Sequence, residues 1–448
     1  MSHPAMSPGL PRRFELLAPG LALEAGARVE RHVVRGWHWG PAEDAAILDA
    51  LTVRVSDERW QVVARSTGEL AGLARRMPRS GVGLSTAIPT VLVVHALTGD
   101  AEAGGADGWW APLIGPGRAL DPAQVRVVCF NLLGSCYGTS GPTDGGFPRL
   151  ADDAHAAELA PARGGFAVPA VDLPATITTW DQARSMLAAL DVLGIERVEL
   201  CAGGSLGGMV ALALAALAPD RFARLLPIAA TAAASSWVIA WNHVGRQAIL
   251  ADPDRARGLE LARQLAMITY RAEAGLDATQ GRDQTRPTWS SRSRYRMQTY
   301  LEYQGAKLRA RFDHRAYLAL LGAMDHHDLS RIPAPPEAHE RWPARVEPPP
   351  ASPAELGPGP RAAGPSSWGL DRVRAATVAV AVDSDQLFSP VHGQRLVDAL
   401  TGRGVDARLE ILTSLHGHDA FLVEWPQLDA IVRRALGLAS AGQARRGC

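Results

Sequence analysis

The sequence predicts a mostly parallel, doubly wound α/β sheet interrupted by a helical insertion. Three observations carry that prediction. First, short runs of β-branched and apolar residues recur at Thr90–His95, Val125–Asn131, Arg197–Cys201, Leu225–Ala229, Val378–Val382 and Ala407–Leu412. Strands that are apolar on both faces are covered by helices on both sides. Second, helical patterns alternate with them, with Ala211–Ala218 and Gly393–Leu400 as examples, and such alternation builds parallel sheets. Third, the stretch 235–330 is rich in helical pattern and arginine, lacks convincing strands, and falls between two sheet strands. An insertion at that point forms a lid over the carboxyl edge of the sheet, where open α/β folds bind ligands.

Along the chain, residues 1–20 read as a loose N-terminal arm. Residues 21–234 are the first part of the core. Its early apolar runs Leu21–Leu23, Val29–Arg35 and Val53–Val55 suit antiparallel strands. Within it, 150–173 is an Ala/Gly/Pro-rich surface insertion. Residues 235–330 are the lid. A proline-rich loop at 331–370 follows, with 11 prolines between Pro333 and Leu370, a density that forbids helix or central strand. Residues 371–440 complete the core, and 441–448 are a C-terminal tail.

Composition removes several function classes. At 448 residues the chain buries a large core. Lys+Arg and Asp+Glu both number 46, so no net basic charge points to nucleic acid. Nearly all the cations are arginine, scattered along the chain, which fits a coding bias better than a phosphate site. Cys129, Cys136, Cys201 and Cys448 are too few for a disulfide framework and show no metal-ligand spacing. The N-terminus has no signal-peptide pattern, and no run of 18 apolar residues occurs. The expectation is a soluble cytoplasmic protein without metal, membrane or nucleic-acid partner.

The strongest chemical signal is Cys201-Ala202-Gly203-Gly204-Ser205-Leu206-Gly207-Gly208-Met209, a G-x-S-x-G sequence placed after a strand and before a helix. A serine at such a sharp bend needs strained backbone, and glycine two residues to either side leaves room for it. The following helix aims its first amides at the serine, ready to hold an oxyanion. A nucleophilic serine also needs a base and an orienting carboxylate, which come later in the order Ser, Asp, His. Asp385, after the strand Val378–Val382, and His418, beyond Leu412, stand at the carboxyl ends of late strands, on the same edge as Ser205. Asp383 and His416 are nearby competitors. The loop His95–Gly99 follows the first buried strand, so the amides of Leu97 and Leu206 form the expected oxyanion hole. His95 itself reads as a packed histidine.

A wider set of segments resembles the homoserine O-acetyltransferase family of α/β-hydrolase-fold enzymes. They include HALTGD (95–100), GWWAPLIGPGRALD (108–121), NLLGSCYGTSGP (131–142), GGSLGGM (203–209), RQAI (246–249), LARQLAMITYR (261–271), YLEYQGAKLRARFD (300–313), AMDHHDL (323–329), SDQLFSP (384–390) and GHDAFL (417–422). The resemblance implies transfer of the acetyl group of acetyl-CoA to the hydroxyl of L-homoserine, in methionine biosynthesis, through an acyl-serine. It implies Ser205 as nucleophile, Asp385 as orienting acid and His418 as base. Arg246 is then the ligand of the substrate carboxylate and Asp419 that of its ammonium, a pairing that fixes an amino acid by both charges. No cofactor is implied, acetyl-CoA being a co-substrate, and the family precedent is a homodimer through the lid helices.

Acyl choice is argued at Leu387. Succinyl-using relatives resemble SDWRFSP here, and their arginine can pair with the free carboxylate of succinate. A carboxylate buried against leucine has no partner, which favours acetyl. The chain departs from the family pattern in three places. Leu206 follows the serine where a Met is common, and Gln386 replaces a Trp. The stretch from Asp252-Pro253 to Leu261 is short, and the family's tyrosine near the substrate is expected to be lost with the missing residues. The alternatives left open are a succinyl donor, serine as acceptor, or a serine esterase or thioesterase in which water takes the acyl group.

Overall fold

The computed structural model describes residues 9–52, 84, 88–152, 173–285, 290, 293–334 and 367–438. The expected strand Val53–Val55, most of the insertion at 150–173, most of the proline-rich loop and the C-terminal tail lie outside them.

The main sheet has eight strands: β1 (Arg12–Ala18), β4 (His32–Trp39), β5 (Thr90–Val94), β6 (Arg126–Phe130), β7 (Leu200–Gly204), β8 (Arg224–Ile228), β9 (Ala376–Val382) and β10 (Ala407–Leu412). Their spatial order is β1-β4-β6-β5-β7-β8-β9-β10. From β6 to β10 every pairing is parallel, while β1 and β4 join antiparallel at one edge. The two-residue strands β2 (Leu21–Ala22) and β3 (Arg28–Val29) pair separately.

The loose arm expected at 1–20 is corrected by β1. Phe14, Leu16 and Ala18 alternate inward along it, and Leu16 lies opposite Val34 in the register. A period of two with three buried apolar residues is a strand signal, hidden in the sequence by Arg12, Arg13 and Glu15 between and before them.

The central strands β5, β6 and β7 are buried throughout. Helices cover both faces. On one side α2 (Thr179–Val192) packs on α3 (Leu206–Leu217), and every residue of α3 is buried. A helix apolar all round fits only such a position. A capping box between Thr178 and Asp181 starts α2. Where α1 (Asp44–Leu51) begins, the buried Asp44 carboxylate accepts two bonds from Arg126, at 2.7 and 3.0 Å, and lies 2.9 Å from His38 Nε2. That pairing ties the helix to β6 and satisfies an otherwise costly buried guanidinium.

Between β8 and β9 run α4 (Ser236–Leu250), α5 (Ala256–Thr269), α6 (Glu273–Gln280), α7 (Arg296–Arg309) and α8 (His314–Asp325). The first four form the lid. In contrast, α8 presents Ala316, Tyr317, Leu320, Leu321 and Met324 to the main core. After β9 and β10 come α10 (Pro390–Thr401) and α11 (Trp425–Ala435), and a short α9 (Trp368–Arg372) precedes β9. Strand β5 connects to β6 on one side and the chain then crosses to β7 on the other. The crevice at that reversal opens above the carboxyl ends of β5 and β7, the point where open α/β sheets take ligands.

Candidate active site

Ser205 stands at the top of β7 with φ 57° and ψ −125°, a strained conformation for a residue with a side chain. Its amide donates to Ile228 O at 2.8 Å, which holds the bend against β8. The flanking glycines are required sterically. A Cβ on Gly203 would meet the Gly207 backbone at 2.5 Å, and one on Gly207 would collide with Val94 O. The bend turns straight into α3, whose first residue is Leu206, so that amide has no acceptor within the helix.

Asp385 and His418 arrive from the loops after β9 and β10. Their carboxylate and imidazole are both buried, with His418 Nδ1 donating to Asp385 Oδ2 at 2.7 Å. The other oxygen, Oδ1, accepts from the amides of Leu387 at 2.8 Å and Phe388 at 2.9 Å. The two loops are bolted together by Ser384, whose hydroxyl donates to Ser414 O and accepts from the Gly417 amide. The imidazole sits among the rings of Phe388, Tyr270 and Phe421, at 5.3, 5.5 and 5.9 Å between centroids. Its Nε2 is buried and has no hydrogen-bond partner among the described residues. Burial alone would lower the His418 pKa. The charge of Asp385, its hydrogen bond and then the charge of Asp419 outweigh burial and raise it above the usual imidazole value.

Ser205, His418, Asp419 and Leu97 share a cavity of about 270 Å³ above the sheet. The loop carrying Leu97 is fixed by His95, a fully buried ring. Its Nε2 accepts the Leu132 amide at 3.0 Å, which leaves Nδ1–H to donate to Ala96 O at 2.8 Å. The competitors stay outside: Asp383 accepts the Ser414 amide, and His416 faces Arg271 at 3.2 Å in a different cleft.

The expected carboxylate ligand stands on α4. Arg246 does not line the Ser205 cavity. Its Nη2 donates to Asp325 Oδ2, while Asn242 holds the other oxygen of that carboxylate at 2.7 Å. It braces α4 against α8 through Nη2, a bond that leaves Nε and Nη1 unengaged. The cavity instead receives Arg263 from α5 and Arg311 from the turn before α8. Arg311 Nη1 donates to Thr98 O at 2.8 Å and to the Tyr137 hydroxyl. Arg263 has no carboxylate partner among the described residues, and its guanidinium carbon lies 5.8 Å from the Tyr270 ring centroid.

Tyr270, from LARQLAMITYR and not from the shortened stretch after Pro253, also lines the cavity, and burial pushes its phenol well above the ordinary value. Both residues lie in the segment LARQLAMITYR, seven positions apart. Seven residues are nearly two helical turns, which sets them on one face, and that spacing was the signal available in the sequence. Asp419 stands beside them, its amide donating to Tyr270 O at 3.3 Å and its carboxylate 3.3 Å from Arg271 Nε. Leu387 is buried one layer away, lining an adjoining narrow cleft with Trp241 and Tyr270 rather than the Ser205 cavity. Among the described residues no group of three His, Cys, Asp or Glu is set to hold a metal ion.

A serine at a strained bend, an imidazole with one nitrogen held by a carboxylate and the other left open, and helix-terminal amides are the parts of a nucleophilic acyl-transfer centre. Such a centre on this sheet defines an α/β-hydrolase-fold protein, and residues 89–424 match the family model described as alpha/beta hydrolase fold. The sequence is 36% identical over 363 residues to homoserine O-acetyltransferase of Moorella thermoacetica, covering 77% of this chain and 84% of that protein. It is likewise 36% identical to the enzyme of that name from Thermus thermophilus, covering 76% of this chain and 80% of the relative. The chain therefore belongs to the homoserine O-acetyltransferase family. Among solved structures, homoserine O-acetyltransferase from Staphylococcus aureus superposes with a TM-score of 0.62 at 21% identity, covering 96% of this chain and 97% of the other. Esterase E22 superposes at 0.65 and 17% identity, with 95% and 100% covered. At those identities the two structures speak for the fold alone.

Proposed function

We propose that the protein transfers the acetyl group of acetyl-CoA to the hydroxyl of L-homoserine, giving O-acetyl-L-homoserine and CoA. Ser205 Oγ attacks the thioester carbonyl as its proton passes to His418 Nε2. The amides of Leu97 and Leu206 hold the oxyanion, and Asp385 keeps the imidazole in the tautomer that can accept the proton. The thioester bond breaks, the sulfur leaves with the proton, and an acetyl-serine remains. The homoserine hydroxyl then gives its proton to His418 and attacks the acetyl carbon. The new ester forms as Ser205 Oγ departs with that proton.

The observation that carries this reading is the charge content of the Ser205 cavity: a carboxylate, Asp419, and an arginine without a carboxylate partner, Arg263. An amino-acid acceptor needs one group for its ammonium and one for its carboxylate, whereas water needs neither. Arg263 therefore takes the role first expected of Arg246. Leu387, where succinyl-using relatives carry arginine, supplies no cation to a second carboxylate, which favours acetyl. The place of the reaction in methionine synthesis follows from the family, and we expect the enzyme to work in the cytoplasm as a homodimer. Trp237, Val244, Leu261 and Tyr303, all on lid helices and all at least 45% exposed, suit a face covered by a second lid. Light scattering should return twice the monomer mass.

The decisive experiment is intact-mass spectrometry with acetyl-CoA. A single acetyl adduct on Ser205 that homoserine discharges supports the reading. An adduct that water clears as fast as homoserine does would make the protein a hydrolase.

A further inference from the structure

A second cavity, of about 460 Å³, lies beside the first and gathers arginines that are far apart in the sequence. Its walls are the loop 142–149, the turn between α4 and α5, and the first turn of α8. Arg149, Arg255 and Arg315 line it with His314, against the single carboxylate of Asp144. Two of these guanidinium groups are fixed in place. Arg255 adopts φ 59° and caps the end of α4 by donating to Leu250 O and Asp252 O. Arg315 is aligned by Asp313 through Nε at 3.1 Å and Nη2 at 2.9 Å, which leaves Nη1 for a ligand. The first turn of α8 adds the positive end of a 12-residue helix. Burial lowers the His314 pKa; the charge of Asp313 opposes that shift, those of Arg315 and Arg255 add to it, and that of Asp252 opposes it. Burial raises that of Asp144, the one carboxylate among the described residues that line the cavity.

One segment lines both cavities, with Arg311 in the first and His314 and Arg315 in the second. Arg311, in the Ser205 cavity, donates to the hydroxyl of Tyr137. His314 follows Arg311 by three residues, and Pro142 follows Tyr137 by five. Three residues reach at most about 10 Å. A ligand with its reacting end at Ser205 and an anionic end a short arm away would pass Arg311 and enter the second cavity.

We propose that this arginine-lined cavity binds the phosphate-bearing end of the acyl donor, the 3′-phosphoadenosine diphosphate of CoA, while the pantetheine arm runs past Arg311 to Ser205. The inference rests on the acetyl-CoA reading above. It gives the scattered arginines the phosphate role that their sequence positions alone did not suggest, and it assigns donor binding to residues that touch none of the reacting atoms.

The test compares two donors that share the thioester and the arm but differ in phosphate. KM should be measured for acetyl-CoA and for S-acetylpantetheine, with wild type and with R149E/R315Q. The double variant should raise KM for acetyl-CoA about tenfold or more, the effect of losing charge-assisted bonds to phosphate. The rise for S-acetylpantetheine should stay under about twofold by the same arithmetic. Free 3′-phosphoadenosine 5′-diphosphate should compete with acetyl-CoA on wild type and lose about tenfold in affinity on the variant. Inorganic pyrophosphate, lacking the adenosine and the third phosphate, should compete more weakly. Equal KM changes for both donors, or none, with the melting temperature unchanged, would overturn the inference and leave the acetyl-CoA reading intact. Absence of CoA release by wild type with homoserine would overturn the reading itself, and the inference with it.

Discussion

The sheet and the lid hold their charged groups on different terms. In the sheet each group is buried and its partners are fixed: Asp385 receives His418 Nδ1 and two loop amides, and Asp44 receives Arg126 and faces His38. In the lid the charged groups are less deeply buried, and arginines such as Arg246 and Arg309 each pair with one carboxylate, Asp325 and Glu260. Arg263, one helix after Arg246, faces the cavity instead. On the proposed reading, the sheet supplies chemistry that is the same for many acyl-transfer reactions, and the lid supplies the choice of acceptor. That division is physically sensible. A nucleophile needs rigid geometry, and a specificity pocket needs charges that are not already satisfied.

Four measurements would break or sharpen the contrast. The largest effect belongs to the sheet: S205A should lower kcat by at least about 10⁴-fold, with the melting temperature little changed. Retained turnover would move the nucleophile elsewhere. Next comes the lid pair. R263A should reduce kcat/KM for homoserine by about 10- to 100-fold, a charge-assisted bond's worth, while the acetylation of Ser205 proceeds at nearly the wild-type rate. R246A should do the reverse, lowering stability by about 1–3 kcal/mol, since it strands the Asp325 carboxylate. Equal kinetic damage from both would erase the distinction drawn here.

The third measurement is the pH dependence of acylation. The rate needs neutral His418, so its acid limb should lie above the ordinary imidazole value of about 6.5. Burial opposes that displacement, Asp385 is its main source, and Asp419 contributes last, so D419N should slide the limb toward lower pH. A limb that does not move would remove Asp419 from the electrostatics of the base. The folded state binds this proton more tightly than the unfolded chain. Its contribution to stability is therefore complete below the unfolded pKa and lost as pH rises through the folded one.

The smallest effect is on acid stability. His32, held by Pro19 O and Ser185, and His327, held by Thr179 and Thr231 O, are pushed by burial down to about 4. These neutral rings are protonated more readily in the unfolded chain. Stability should fall as pH drops from about 6.5 toward 4, by up to about 3 kcal/mol for each. His327→Gln should flatten that slope, as followed by denaturant melts between pH 4 and 7, and an unchanged slope would mean that the ring is not buried neutral.

Much of the sheet was legible in the sequence because its signals are local. TVLVV and RVVCF are buried on both faces in the fold and apolar on both faces in the chain. The serine bend is equally local, since the strain and the glycines that relieve it lie within five residues. Strand β1 was missed because Arg12 and Arg13 precede its inward residues and Glu15, paired across the sheet with Arg35, stands between Phe14 and Leu16. The arginine of the cavity was missed for a different reason. RQAI and LARQLAMITYR both offer an arginine on a lid helix, and nothing in either segment says which has a carboxylate waiting on α8.

By itself, then, the sequence determined which residues make strands, where the chain bends to expose a hydroxyl, and the chain order of its carboxylate and imidazole, because each is written in short-range spacing. Tertiary structure alone decided which lid arginine faces Ser205, where Leu387 lies, and that Arg149, Arg255 and Arg315 meet around one cavity. Those outcomes depend on charges brought together from distant parts of the chain, and Coulomb attraction follows distance in space rather than position in the chain.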